Sequence, residues 1–110
     1  MKMPNCGHSF VSEQKITDYL LNDTNEIGKG KAKFFRKFGF SVADIDTFRD
    51  ALIQHSVDRD IENEDATGYG AKYKLICVIQ TPDNRNPCIV TVWIIESGTA
   101  SPTLITAYPN

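Results

Sequence analysis

The sequence predicts an α+β fold, with N-terminal helices packed on one face of a three- to four-stranded antiparallel β-meander. Apolar residues recur at spacings of three and four through the first half, and alternation of period two sets in after Tyr69. Turn chemistry at Thr81–Pro87, with prolines at 82 and 87, separates two β-branched runs. Helices first and strands afterwards give a layered α+β domain rather than alternating βαβ units.

Each element has its own signal. Ser12 caps a first helix through about Asn22, with Ile16, Tyr19 and Leu20 on its stripe. A second, roughly Gly30 to Phe38, turns Phe34, Phe35 and Phe38 inward and stops at Gly39, which suits a left-handed helix end. Ser41 opens a third, with Asp44 as an acidic variant of the capping box. The stripe of that helix, Val42, Ile45, Phe48 and Leu52, runs on toward His55 or Ser56. Strands are expected over 72–80, 88–96 and 102–108, with a weaker one over 57–65. Alternation sets Tyr73, Leu75, Cys77 and Ile79 against the helices and leaves Lys72 and Lys74 on the open face. On the next strand Val90, Val92 and Ile94 are expected inward, Thr91 and Trp93 outward. The expected core joins Phe34 or Phe35 with Phe38, Phe48, Leu52, Leu75 and Val92.

Length and composition bound the function. The 110 residues make a single domain, 1–110, with residues 1–11 expected to be loosely ordered. No apolar run approaches the ~18 residues that span a bilayer, and MKMPNCGHSF has no apolar signal region. A soluble cytoplasmic protein without a membrane partner is expected. The three cysteines, Cys6, Cys77 and Cys88, have no metal spacing and read as reduced thiols. Cys6 and His8 alone do not close a zinc site, so neither metal nor cofactor is expected.

Charge is uneven. The net charge is -2, yet GKGKAKFFRK holds Lys29, Lys31, Lys33, Arg36 and Lys37, while Asp58–Asp65 hold five acids against one arginine. A cationic patch on an acidic chain fits a selective anionic partner such as RNA. It fits equally a contact between the two segments, within the chain or in a homodimer. Gly28 and Gly30 allow the backbone to approach a phosphate beside the lysines.

The motifs KITDYLLN, GKGKAKFFRKFGFS, TGYGAKYKL, TVWII and LITAYP span nearly the whole chain. In that order they resemble a bacterial domain-of-unknown-function family. More distantly, helices followed by a meander whose last strand carries Thr-Ala-Tyr resemble the barnase, colicin and RelE ribonuclease-toxin group. That likeness implies a metal-free site of Lys, Arg, His, Thr and Tyr on the open sheet face. Where such toxins often carry a histidine near the start of the aromatic helix, this chain has Lys31. A lysine holds phosphate, but acts as a base only after losing its proton.

RNA cleavage through the ribose 2′-hydroxyl needs a base, an acid and fixed cations on the phosphorane. The candidate catalytic residues are Lys31 and Lys72 as cations, Tyr108 or Tyr69 as acid or positioning hydroxyl, and Thr91 and Thr106 as phosphate donors. Lys29, Lys33, Tyr69 and Trp93 are candidate substrate contacts, Trp93 as a stacking platform. Each has a structural alternative: a solvated helix face for Lys31, a covered core edge for Trp93, a strand start for Tyr69 and Gly70. His55, at a helix end, reads as a cation on the negative dipole. The sequence thus supports two functions. One is a small metal-independent ribonuclease, the toxin of a bacterial toxin–antitoxin pair, whose partners are RNA and a cognate antitoxin. The other is a non-catalytic binding module such as an antitoxin or immunity partner, which the acidic balance favours.

Overall fold

The computed structural model describes residues 1–22 and 29–110; Gly28 and the Lys29 side chain, both named above as phosphate contacts, lie outside the described residues. Ser12 caps as expected, its Oγ accepting the Lys15 N–H at 3.0 Å. Helix α1 (Glu13–Lys15) passes at once into a π-helical turn, Ile16–Leu20. There the Leu21 N–H reaches back to the Ile16 carbonyl at 2.8 Å. Such widened turns are uncommon and gather at functional sites. This one buries Ile16 and Leu20 and leaves Tyr19 half-buried.

Helix α2 (Lys29–Lys37) buries Ala32 and Phe35. Gly39 takes φ 105°, and the Phe40 and Gly39 N–H groups return to the Phe35 and Arg36 carbonyls at 3.3 and 3.0 Å. This is the Schellman closure that the glycine permits. Arg85 donates to the Lys37 carbonyl at 2.6 Å and lies 4.4 Å over the Phe38 ring, so a cation closes the negative end of the helix. Phe38 is therefore half-buried beneath Arg85 rather than fully in the core.

The third helix, α3 (Ile45–Asp58), is capped by Asp44 and not by Ser41. Asp44 accepts the Thr47 N–H at 3.3 Å and its hydroxyl at 2.6 Å. Ser41 instead holds the Ala43 N–H at 3.0 Å in the preceding turn, which leaves Val42 51% exposed and off the stripe. Phe48, Leu52, His55 and Ser56 are buried along this helix.

Strands β1 (Ile61–Thr67), β2 (Gly70–Val78), β3 (Cys88–Glu96) and β4 (Thr103–Pro109) form one antiparallel meander in that order. The first begins later than expected because α3 continues to Asp58. Residues 1–11, expected to be loosely ordered, carry these contacts: Met3 is buried, and Phe10 bridges beside Thr103, donating to the Pro102 carbonyl at 2.7 Å and accepting from the Leu104 N–H at 3.0 Å.

Register corrects the faces. Tyr73 opposes Trp93, Leu75 opposes Thr91, and Cys77 opposes Ile89. Thr91 and Trp93 therefore face the helices, while Val90, Val92 and Ile94 share the other face with Lys72 and Lys74. The run CIVTVWII is apolar on both faces of a central strand, so its own alternation does not choose between them. The core is built from Ile16, Leu20, Phe35, Phe40, Phe48, Leu52, Leu75, Trp93 and Leu104, without Val92. No helix among the described residues is long and apolar enough to cross a membrane.

Gly70 has φ 151°, and a Cβ there would stand 2.2 Å from the Ile95 carbonyl oxygen. Gly70→Ala is expected to cost more than about 1 kcal/mol in urea unfolding, since backbone must move. Gly30→Ala meets nothing within 4 Å and is expected to gain about 0.5–1 kcal/mol by removing a helical glycine. Equal effects at the two sites would contradict these backbone assignments.

Candidate functional site

Four side chains meet at the β4 edge of the sheet. Thr106 and Tyr108 oppose Val92 and Val90 and so share the uncovered face. Helix α2 packs beside β4 and brings Lys31 over that edge, and the π-helical turn supplies Tyr19. Lys31 Nζ donates to the Tyr19 hydroxyl oxygen and to Thr106 Oγ1, the latter at 3.1 Å. The Tyr19 and Thr106 hydroxyls are 3.0 Å apart, closing a triangle of polar atoms. Lys31 Nζ also stands 4.7 Å from the Tyr19 ring centroid and 5.9 Å from that of Tyr108. Lys15 Nζ is 5.4 Å from the Tyr19 ring centroid.

The electrostatics follow from this packing. Burial pushes the Tyr19 phenol up, but hydrogen bonds from Lys31 and Thr106, with the charges of Lys31 and Lys15, outweigh it and hold the pKa below its usual value. Deprotonated, Tyr19 has Lys31 and the Thr106 hydroxyl as donors. The cluster thus sets a fixed ammonium beside a phenol whose conjugate base it stabilises. Among the described residues no group of three or more His, Cys, Asp or Glu side chains is placed to hold a metal ion.

Of the candidate catalytic residues, the structure brings together Lys31, Thr106 and Tyr108. Lys72 is exposed and opposes Ile94, four residues along β2 from Ile76, whose row reaches Tyr108 through Val90. Standard strand spacings put the Lys72 and Tyr108 backbones roughly 16 Å apart. Lys33 is exposed on α2, and Tyr69 is 82% exposed beside Ser97, at the other end of the sheet from Tyr108. Tyr19 was legible only as a member of the first helix stripe. What presents it to Lys31 is a π-helical turn that carries no signature in KITDYLL.

Thr91, Trp93 and His55 belong to the core and not to this site. The Trp93 indole N–H donates to Thr91 Oγ1 at 2.9 Å. The Thr91 hydroxyl then donates to His55 Nδ1 at 3.0 Å, and His55 Nε2–H donates to the Cys77 carbonyl at 2.9 Å. Since a carbonyl only accepts, Nε2 carries the proton, and the neutral ring that burial favours leaves Nδ1 to accept from the Thr91 hydroxyl. Burial, aided by the Arg59 charge and opposed by the Cys77 carbonyl and Asp58, lowers the His55 pKa to about 4. The expected outward stacking face for Trp93, phosphate donor at Thr91 and charged helix end at His55 are thereby corrected. A tryptophan and a histidine with mutually satisfied polar atoms bury at little cost.

The fold and this cluster define a small α+β domain with a cation–phenol cluster at the β4 edge of its meander. The chain belongs to the family described as "Domain of unknown function (DUF6883)", whose model matches residues 2–110. No curated protein matches it significantly. In fold it is similar to a chain of a contact-dependent growth inhibition toxin–immunity protein complex from Klebsiella pneumoniae 342. The two share 17% identity with a TM-score of 0.74, and the match covers 96% of each chain.

Proposed function

We propose that this chain is a metal-independent ribonuclease, the toxin of a bacterial toxin–antitoxin or toxin–immunity pair. The observation that carries the reading is the convergence of Lys31, Tyr19, Thr106 and Tyr108 around one spot. Lys31 binds a non-bridging phosphate oxygen and stabilises the phosphorane. Tyr19, as phenolate, takes the 2′-hydroxyl proton, and the 2′-oxygen attacks phosphorus. The 5′-oxygen leaves with a proton from Tyr108, giving a 2′,3′-cyclic phosphate. Thr106 positions Tyr19 and Lys31. Lys72 with Lys74 on the open face, and Lys33 on α2, hold flanking backbone phosphates outside the reacting centre. A cognate partner protein inhibits by covering the Lys31 edge.

Induced expression of the wild-type chain is expected to arrest bacterial growth, and Lys31→Ala to relieve it while folding normally. Removing one fixed cation of this kind costs on the order of 10²–10³ in rate. Because the base must be deprotonated, cleavage is expected to rise with pH up to the lowered Tyr19 pKa, and Tyr19→Phe to flatten that rise. Growth arrest that persists in a folded Lys31→Ala protein contradicts the assignment.

The acidic sequence pI of about 5.6 and the exposed β1 edge, with Glu62, Glu64 and Asp65, favour a second reading, a non-catalytic immunity or antitoxin partner for a basic protein. That reading expects no growth arrest and tight binding to a cationic toxin.

A further inference from the structure

Cys77 and Cys88 sit at one end of the β2–β3 ladder, outside the site above. Cys77 opposes Ile89, and Cys88 opposes Val78, so the two cysteines are diagonal neighbours offset by one residue. In a regular ladder such neighbours project to opposite faces and their sulfurs do not meet. This ladder is not regular there. Cys77 takes φ 125°, a conformation that residues with a Cβ rarely adopt. The strand backbone is irregular at Cys77, and both thiols are free and half-buried. The two side chains are near enough to interact, Cys88 disfavouring ionisation of the Cys77 thiol. Strand spacing puts the two backbones roughly 6 Å apart, inside the ~4.4–6.8 Å window that a disulfide needs. Cys88 Sγ also accepts from the Asn110 side chain at 3.3 Å.

We infer that Cys77 and Cys88 are an oxidant-sensitive dithiol that closes to a cross-strand disulfide, with Cys6 taking no part. This assignment stands apart from the ribonuclease reading. The Cys77 thiol is held above its usual pKa, first by its interaction with Cys88 and then by burial. Either thiol can open the reaction; in one order Cys88 attacks and Cys77 resolves. With a small-molecule disulfide as oxidant, the Cys88 thiolate attacks one sulfur and expels one thiolate, leaving a mixed disulfide. The Cys77 thiolate then attacks the Cys88 sulfur, the protein disulfide forms, and the second small thiolate departs. Two protein thiols are oxidised and one disulfide is reduced to two thiols.

The bond would pin β2 to β3 at the carbonyl that accepts from His55, two residues from Val90, the cross-strand partner of Tyr108. The test is incubation of the folded chain with oxidised glutathione, followed by intact mass, thiol alkylation and peptide mapping. The expected product has lost about 2 Da, the two hydrogens released on closure. It keeps one alkylatable thiol, at Cys6, and yields a Cys77–Cys88 linked peptide. Cys6→Ser is expected to retain the bond, and Cys77→Ser or Cys88→Ser to stop at a glutathione adduct. A stable adduct on the wild-type chain, a bond through Cys6, or three free thiols where a control dithiol oxidises would each overturn the inference. Peptide mapping of the wild-type chain decides the matter even where a serine variant fails to fold.

Discussion

Phe48→Ala is expected to lower folding stability by about 3–5 kcal/mol, the cost of emptying a large, fully packed core position. Phe48 is wholly buried, and its ring lies 4.4 Å from that of Phe40 and 4.8 Å from that of Phe35. It joins α3 to the aromatic end of α2, so the loss is shared by two helices and the sheet they cover. In a chain of this length that is a fall in Tm on the order of 10–20 °C. Val42→Ala, at an exposed turn position outside the stripe, is expected to change stability by less than about 0.5 kcal/mol. A loss below about 1 kcal/mol at Phe48 would contradict the packing of α3.

Acid is expected to begin weakening the fold above the range in which carboxylates titrate. Folded His55 has a pKa of about 4, against 6.5 for the exposed side chain. At pH above 6.5 the imidazole is neutral in both states and its full contribution is present. Between pH 6.5 and about 4 the unfolded chain binds a proton that the folded chain refuses, so stability falls as pH falls through this window. Below about 4 both states are protonated and the loss levels off. The integrated loss is about 3 kcal/mol, an order-of-magnitude figure for a ring buried in its hydrogen-bond chain. Urea unfolding at pH 7.5, 5.5 and 4 tests it, with His55→Gln expected to be less stable at neutral pH but much flatter across the window. Parallel curves for the two proteins would show that His55 is not the group responsible.

What the sequence disclosed, and what it withheld, divides along physical lines. Ser12, Gly39 and the Pro82–Pro87 turn act through local backbone chemistry, and their roles were legible residue by residue. The meander was legible too, because Lys72 and Lys74 mark the polar side of β2. Face assignment on β3 was not, since Ile89 to Ile95 carries large apolar residues on both faces and only the register with Tyr73 and Leu75 fixes it. That single inversion moved Thr91 and Trp93 from the expected site into the core. The Asp44 cap displaced Ser41 for a related reason, as two capping residues three apart offer two helix starts and the turn geometry selects one. Tyr19 was hidden differently. Its residue type and stripe were visible, but the π-helical turn and the approach of Lys31 across the β4 edge are tertiary outcomes.

The most direct measurement of the central claim is cleavage of RNA by the purified chain in the presence of EDTA, with the product ends identified. The account predicts cleavage without added metal and 2′,3′-cyclic phosphate or 3′-phosphate termini. It also predicts loss of cleavage on a substrate carrying a single 2′-deoxy sugar at the scissile position, and in Tyr19→Phe and Lys31→Ala proteins that retain the wild-type fold. No cleavage by folded wild-type protein, or cleavage that proceeds at a 2′-deoxy position, would contradict it.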